Sequence, residues 1–269
     1  MEKLPVQNVY DANRRKPGYI CGPDYVAIDE VKLVNFGDEN EMRSILQGYL
    51  EYGTFNSNGY NGESDAGVVF LGNIKRNMDE YGYMLGELPT LFQETALLDR
   101  IHGFVKGWDI PRMNDGLKLT GWALNSEYFC SILHELRNDM SYRAIVEKIV
   151  EVPEHADTRD TEAIKRLATA YLKLLFPNVR NEFDVDKMEF RDYCLTPAMK
   201  MRRIIKLQQG MIDSEYKIRY SMFNGERIMS KECIACGKKQ LDKDTVGINK
   251  KLLGKDIANF IVWTVWLIF

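Results

Sequence analysis

The stretch Tyr25-Val26-Ala27-Ile28-Asp29-Glu30 decides the fold class, because four apolar residues run directly into two adjacent carboxylates. Such a run is typical of a buried parallel strand, which delivers its last residues to the carboxyl edge of an α/β sheet, where ligands bind. In nucleoside-triphosphatases, the first acid at this edge holds Mg²⁺ and the second polarises the attacking water. The stretch predicts an α/β fold with a nucleotide site at Asp29 and Glu30; a solvated strand exit is the alternative.

The usual partner of such acids is the phosphate-cradling motif G-x-x-x-x-G-K-[ST], and the 269 residues do not contain it. Gly-Lys occurs only as Gly237-Lys238, followed by Lys239, and as Gly254-Lys255, followed by Asp256. We therefore expect this chain to hold only part of an ATPase, and to bind ATP poorly and to associate when it is isolated.

A second apolar strand, predicted over residues 67–71, ends in Gly72-Asn73. A helix predicted over residues 39–52 connects it to the acidic strand, and Gly53 follows that helix as a stop signal. An amide at this edge can orient the attacking water beside the acids. The alternative for Asn73 is an ordinary turn residue, since Gly-Asn is a turn dipeptide.

Arg100 directly follows a helix predicted over residues 90–99 and begins a strand predicted over residues 100–105. In a ring ATPase, an arginine at this place reaches the γ-phosphate bound to the neighbouring subunit and stabilises transition-state charge. The alternative is a surface ion pair between Asp99 and Arg100, which contributes little to stability.

The rest of the chain is predicted to be helical, with helices over residues 122–138, 143–150, 160–176 and 199–209. An α/β half followed by an all-helical half is the layout of an AAA+ module with a lid. Arg159, just before the helix over residues 160–176, is predicted to sense nucleotide from the lid; it could also merely flank Asp160 as a helix cap. The last helix carries a basic face, predicted to be solvated or, less favoured, to face DNA: Lys200, Arg202, Arg203 and Lys206.

Composition excludes several functional classes. A net charge of −3 gives no global electrostatic case for nucleic-acid binding. Five cysteines, mostly far apart, indicate a reducing cytoplasm, and no apolar run approaches the roughly 18 residues of a membrane span.

Cys233 and Cys236 form only half of a zinc site, so a stable zinc there is doubtful. Ser64 has no matching lysine context and is rejected as a protease nucleophile.

From about Tyr10 to Phe223, the chain resembles the BrxL family, the Lon-like AAA+ ATPases of BREX phage-defence systems. The lid also resembles that of replicative MCM helicases. The resemblance rests on these blocks: Val26-Ala27-Ile28-Asp29-Glu30, Ile45-Leu46-Gln47-Gly48-Tyr49-Leu50-Glu51-Tyr52-Gly53-Thr54-Phe55, Leu71-Gly72-Asn73, Leu98-Asp99-Arg100-Ile101-His102-Gly103-Phe104-Val105-Lys106-Gly107-Trp108-Asp109-Ile110-Pro111, Thr158-Arg159-Asp160-Thr161 and Leu172-Lys173-Leu174-Leu175-Phe176-Pro177.

The resemblance implies an ATP-dependent, Lon-type protease that uses ATP and Mg²⁺ and assembles as a homo-oligomeric ring. It implies Asp29 and Glu30 as the Walker B acids, Asn73 as sensor 1, Arg100 as arginine finger and Arg159 as lid sensor. The family's phosphate loop is expected upstream of Met1, and its Lon-like domain after about Phe223. Without that domain no Ser/Lys dyad can be named.

The resulting domain prediction is an incomplete AAA+ parallel sheet over residues 1–112, a helical lid over 113–223 and an unrelated fused tail over 224–269. Catalytic activity of this chain itself is left open. Alternatives are an MCM-like ATPase that translocates DNA and a non-functional pseudogene fragment. Protein or DNA is the expected substrate, and no membrane partner is expected.

Overall fold

A computed structural model describes residues 10–11, 16–36, 38–57, 60–74, 82–112, 114–118, 120–154 and 156–216. The described chain forms two compact units. One comprises the residues up to His102 together with those from Arg203 onward, and the other comprises Gly103 to Arg202. Among the described helices, none is both long and apolar enough to cross a bilayer. The sequence also predicts a short strand over residues 4–9. That strand and the pair Cys233 and Cys236 lie outside the described residues.

The first unit contains the predicted parallel strand pair. Strand β3 (Tyr25–Ile28) pairs in parallel with β6 (Gly67–Phe70), in the register Tyr25↔Gly67 to Ile28↔Phe70. Two antiparallel pairs accompany it: β1 (Tyr10–Asp11) with β2 (Lys16–Pro17), and β4 (Thr54–Ser57) with β5 (Tyr60–Glu63). The α/β class with a small parallel sheet is therefore confirmed.

Helix α1 (Glu39–Tyr52) joins the two parallel strands and has the predicted bounds. The Asp38 carboxylate caps its N-terminus by accepting from the Asn40 and Glu41 N–H groups, and Gly53 ends it at φ 70°. The helix is buried on two sides. Met42 and Leu46 pack into a cluster with Val31, Phe36, Leu91, Phe92 and Leu97, whereas Ile45 and Tyr49 pack with Phe55.

Two Asn-Gly dipeptides after α1, Asn58-Gly59 and Asn61-Gly62, each predict a turn of a hairpin, and the second prediction is wrong. Asn58-Gly59 lies between β4 and β5 but outside the described residues, whereas Asn61-Gly62 lies within β5 itself. A β-carbon at Gly62 would come within 2.3 Å of the Phe55 ring, so this glycine makes room for an aromatic side chain.

The helix predicted over residues 90–99 is broken. A 3₁₀ turn covers Thr90–Gln93 and a short helix α2 covers Thr95–Leu98, with extended backbone at Glu94 between them. The predicted strand over residues 100–105 is wrong, because residues 101–106 have no regular secondary structure and form no ladder within the described chain.

The second unit is helical, as predicted. Helix α5 (Thr158–Leu175) packs against α3 (Ser126–Arg137), α4 (Ser141–Ile149) and a π-helical turn, Arg191–Leu195. Short helix α6 (Lys187–Phe190) leads into that turn, and α7 (Thr196–Ile212) follows it. The residues of α7 up to Arg202 belong to this unit, and those from Arg203 onward belong to the first. Buried residues recur along α7 at helical spacing: Ala198, Met201, Arg202, Ile205, Gln208 and Gln209.

Candidate functional site

The parallel register brings the predicted acids and amide to one edge of the sheet. Asp29 follows Ile28 directly, and Asn73 follows Phe70, the register partner of Ile28, by three residues. Main-chain bonds continue past the strands, from Leu71 N to Ile28 O at 2.8 Å and from Val31 N to Leu71 O at 2.9 Å. The side chains of Asp29, Glu30 and Asn73 are all exposed, so this carboxyl edge presents two carboxylates and an amide to solvent.

Gly72 is the position that lets the two chain segments at this edge approach each other. A β-carbon there would lie 2.9 Å from Val31 Cγ1 and 3.5 Å from Leu88 Cδ2. Val31 is the residue after Glu30 and is 1% exposed. From the sequence, Gly72 was interpreted only as a turn residue. Its role in packing arises because Val31, two residues after Asp29, is buried against it.

The backbone at Glu30 has an unusual conformation. Its φ of 46° and ψ of 45° lie in the left-handed region, which a residue with a β-carbon rarely adopts. Its N–H donates to Asp29 Oδ1 at 2.7 Å, and its carbonyl accepts from Leu33 N at 2.7 Å. The strand therefore ends just before the two acids, and the chain turns at the second of them. No pattern in the sequence indicates this conformation.

The donor set at the edge fits a small hard cation. Carboxylate and amide oxygens suit Mg²⁺, which is usually held by one or two carboxylates and completed by substrate phosphates and water. Within the described residues, no group of three or more His, Cys, Asp or Glu side chains could hold a metal by itself. Asp29 and its neighbours fit a cation shared with a phosphate ligand, and do not form an all-protein cage.

Arg100 is held by its own unit. Its Nε and Nη2 donate to Glu51 Oε2 at 2.7 and 2.5 Å, and Nη1 donates to the Ala96 carbonyl at 2.6 Å. Asp99 is buried and lies 3.8 Å from Lys206 Nζ. The alternative of a surface pair between Asp99 and Arg100 is therefore wrong. Sequence reasoning missed Glu51, which is the second-last residue of α1.

Arg159 is exposed in the first turn of α5. Its N–H and that of Asp160 donate to Asp157 Oδ1 at 2.9 and 3.1 Å, so Asp157 caps the helix. The alternative that Arg159 flanks Asp160 as the cap is wrong, because Asp160 is buried and its carboxylate accepts from Arg202 Nε at 2.7 Å.

The predicted basic face of α7 does not form a solvated surface. Arg202 is 2% exposed and paired with Asp160, and Lys206 lies near Asp99 with its Nζ 5.4 Å from the Tyr216 ring centroid. Both belong to the buried or half-buried side of the helix. The predicted solvated face is wrong for these two residues, and the DNA-facing alternative loses two of its four cations.

Ser64 has a structural environment. Its hydroxyl donates to the Ile20 carbonyl and accepts from Ala66 N at 3.2 Å, while Tyr49 Oη donates to the Ala66 carbonyl at 2.6 Å. These bonds tie the end of the hairpin to α1 and support the rejection of Ser64 as a nucleophile.

Comparison with known proteins gives the chain a family. Residues 5–221 match the model of the ATPase domain of BrxL-like Lon-like proteases. A "Lon-like protease BrxL" of Escherichia coli O9:H4 (strain HS) is 29% identical over 202 residues, covering 74% of this chain and 28% of that protein. One of Bacillus cereus (strain H3081.97) is 26% identical over 230 residues, covering 84% and 33%. The chain thus spans about a third or less of these relatives. Because the family match covers most of its length, the chain belongs to the BrxL-like ATPase-domain family of Lon-like proteases.

Proposed function

We propose that the carboxyl edge of β3 and β6 is the hydrolytic side of an Mg²⁺–ATP site. Membership of the family indicates an AAA+ ATPase-related function and the use of a nucleotide. The observation that carries the proposal is the register Ile28↔Phe70, which sets Asp29, Glu30 and Asn73 together at one edge. Ligands of parallel α/β sheets bind at this edge.

The residues divide the work by their chemistry. Asp29 helps hold Mg²⁺, which neutralises charge on the phosphates when it is bound. Glu30 accepts a proton from the attacking water, and the Asn73 amide orients that water. Exposure of all three to solvent leaves the edge accessible to a nucleotide.

Arg100 and Arg159 are proposed to act on the nucleotide from outside this edge, Arg100 in a ring on the nucleotide of a neighbouring subunit. A guanidinium has five N–H donors, and three of those of Arg100 are engaged by Glu51 and Ala96. Two donors remain for phosphate oxygens. The bonds to Glu51 and to the Ala96 carbonyl also fix the orientation of the group, which favours stabilisation of transition-state charge.

The assembly around this site is proposed from the relatives. Both are named Lon-like proteases, so we propose that the ATPase module, with a core over residues 1–112 and a lid over 113–223, powers a ring of a Lon-like BREX phage-defence protein. Residues 224–269 are proposed to be an unrelated tail. The inward-facing Arg202 and Lys206 favour this over a DNA-translocating role for α7.

A hybrid protein tests the proposal. Residues 5–221 replace the matching segment of the Escherichia coli relative, so that the remaining sequence of that protein is present, and Mg²⁺-dependent ATP hydrolysis is measured. Glu30→Gln should lower kcat by roughly 10²–10⁴-fold, the usual contribution of a positioned base, while ATP binding persists.

Exposed Glu63 of β5 provides the matched control, and Glu63→Gln should hydrolyse ATP like the unsubstituted hybrid. An assembled hybrid that binds and hydrolyses ATP equally well with glutamine at position 30 would refute the assignment of this edge.

A further inference from the structure

Glu30 is the one residue other than glycine with a positive φ in the described part of the chain. For an L-residue the left-handed conformation is unfavourable by roughly 1–2 kcal/mol, because the β-carbon approaches the following carbonyl oxygen. Strained backbone of this kind persists only where the surroundings impose it, and it clusters at functional sites. The strain falls on the residue proposed to activate water.

Contacts on both sides impose the conformation. On the N-terminal side, the Glu30 N–H is held by Asp29 Oδ1 at 2.7 Å. On the C-terminal side, the N–H of Val31 donates to Leu71 O at 2.9 Å, and the Val31 side chain is buried in the core cluster with Met42 and Leu46. The chain must therefore leave β3, turn at one residue and place Val31 in the core.

We propose that Asp29 is the positioning residue for Glu30, and that this role needs an oxygen at Oδ1 and no negative charge. The inference rests on the proposed function, which gives both carboxylates their purpose. One oxygen of Asp29 holds the main chain of Glu30 in the left-handed conformation, and the other remains available to the cation. Glu30 thus depends on Asp29. Asp29 faces the cation and also fixes where the Glu30 side chain begins.

The two roles of Asp29 separate by substitution in the full 269-residue chain. Asp29→Asn keeps an acceptor oxygen and removes the charge, whereas Asp29→Ala removes both. NMR measures the exchange rate of the Glu30 amide and its backbone chemical shifts. We expect Asp29→Ala to speed that exchange by roughly tenfold, the loss of one hydrogen bond, while Asp29→Asn leaves it within about twofold. Equal acceleration by both variants would overturn the inference.

A second measurement reports the strain directly. Glu30→Gly should raise the ratio of folded to unfolded protein by a factor of roughly 5–10, because glycine adopts this conformation without a steric penalty. Urea unfolding measures that ratio. Exposed Glu63 lies in an ordinary strand, so Glu63→Gly should lower stability by a few-fold. Destabilisation by Glu30→Gly as large as that at Glu63 would show that position 30 is not strained, and would also overturn the inference.

The hybrid protein that carries residues 5–221 reports separately on the proposed function when it bears the same substitutions, because the isolated chain is expected to bind ATP poorly. Mn²⁺ with ATP is the probe, and Mn²⁺ binding read by electron paramagnetic resonance is the signal. Binding should weaken in both Asp29→Asn and Asp29→Ala, since each removes the charge. If neither substitution weakens Mn²⁺ binding while the amide exchange follows the expected pattern, the cation site is wrong and the positioning role of Asp29 stands.

Discussion

Replacing Asp160 by alanine should destabilise the helical unit by about 3–5 kcal/mol, the usual result of removing one partner of a buried ion pair. Arg202 and Asp160 are 2% and 10% exposed, and Nε lies 2.7 Å from Oδ1. Removal of the carboxylate leaves a guanidinium desolvated inside the unit without its counter-ion. The intact pair contributes little net stability relative to two apolar residues. A large loss of stability is therefore expected only when one partner is removed and the other remains.

Amide hydrogen exchange of α5, read by mass spectrometry on the full chain, is the assay, because it reports the opening of a local unit. A loss of about 3–5 kcal/mol accelerates exchange by roughly 10²–10⁴-fold. Glu162→Ala is the control on the same helix, since its pairs with Arg143 and Arg166 are about half exposed and contribute about 1 kcal/mol or less. Asp160→Leu combined with Arg202→Met should recover most of the lost protection.

If Asp160→Ala accelerates exchange by less than about tenfold, the ion pair between Asp160 and Arg202 behaves as an exposed one, and the predicted cost of disrupting it is refuted. It also fails if the apolar double variant is as damaged as Asp160→Ala, because the loss would then come from packing and not from the stranded guanidinium.

Three further perturbations address other contacts. A double-mutant cycle on Glu51→Ala and Arg100→Ala should give a coupling of about 1–2 kcal/mol in urea unfolding, because both side chains are largely buried; a value near zero would contradict the pair. Burial alone would raise the pKa of Glu147, but hydrogen bonds from basic neighbours hold it below its ordinary value; its stabilisation is therefore present above about pH 4.5 and lost on acidification, so wild-type and Glu147→Gln stabilities should converge from pH 6 to 3. Gly53→Ala should lower stability by about 1–3 kcal/mol, since φ is 70° and the β-carbon would lie 2.8 Å from a carbonyl oxygen, whereas Gly22→Ala, in open space, should change it by less than about 0.5 kcal/mol.

The sequence predicted the parallel pair because one physical signal covered it. Short apolar runs that end in polar residues predict strands of a parallel sheet, and the helix between them has a cap, a stripe and a glycine stop. The prediction that the first strand is buried is wrong, because β3 is half-buried with Ala27 exposed. The candidate site followed from the same signal, since parallel strands align their carboxyl ends. The predicted strand over residues 100–105 lacked such support: its Phe104 N–H donates to the Met201 carbonyl, a partner that no local pattern reveals.

The break in the helix predicted over residues 90–99 has a geometric cause, which the spacing of its buried residues reveals. Leu91 and Phe92 are buried, and so are Leu97 and Leu98. Residues six positions apart are separated by about 120° around one continuous helix, so Leu91 and Leu97 would point in different directions. Extended backbone at Glu94 lets both pairs enter the core.

Buried polar residues explain the error on α7. Arg202, Gln208 and Gln209 occupy the core stripe of the helix, and composition alone assigned Arg202 to the surface. Gln208 donates to the Gly82 carbonyl and accepts from the N–H of Met84, a residue that is fully buried. The position of Arg202 within the buried stripe of the helix could have indicated its burial. Such a position predicts burial better than charge does when a partner such as Asp160 is available elsewhere in the chain.

The conformation of Glu30 explains how two adjacent acids can serve one site. Successive residues of a strand point to opposite faces, so a strand continued through position 30 would send the side chains of Asp29 and Glu30 to opposite sides of the sheet. The left-handed turn ends that alternation at Glu30, and the bond from its N–H to Asp29 Oδ1 links the two acids at the point where the strand stops. The parallel register decides which residues reach the edge, whereas this bond decides how the second of them leaves it. Strain at Glu30 is therefore the physical consequence of turning the chain into the core directly after two neighbouring carboxylates.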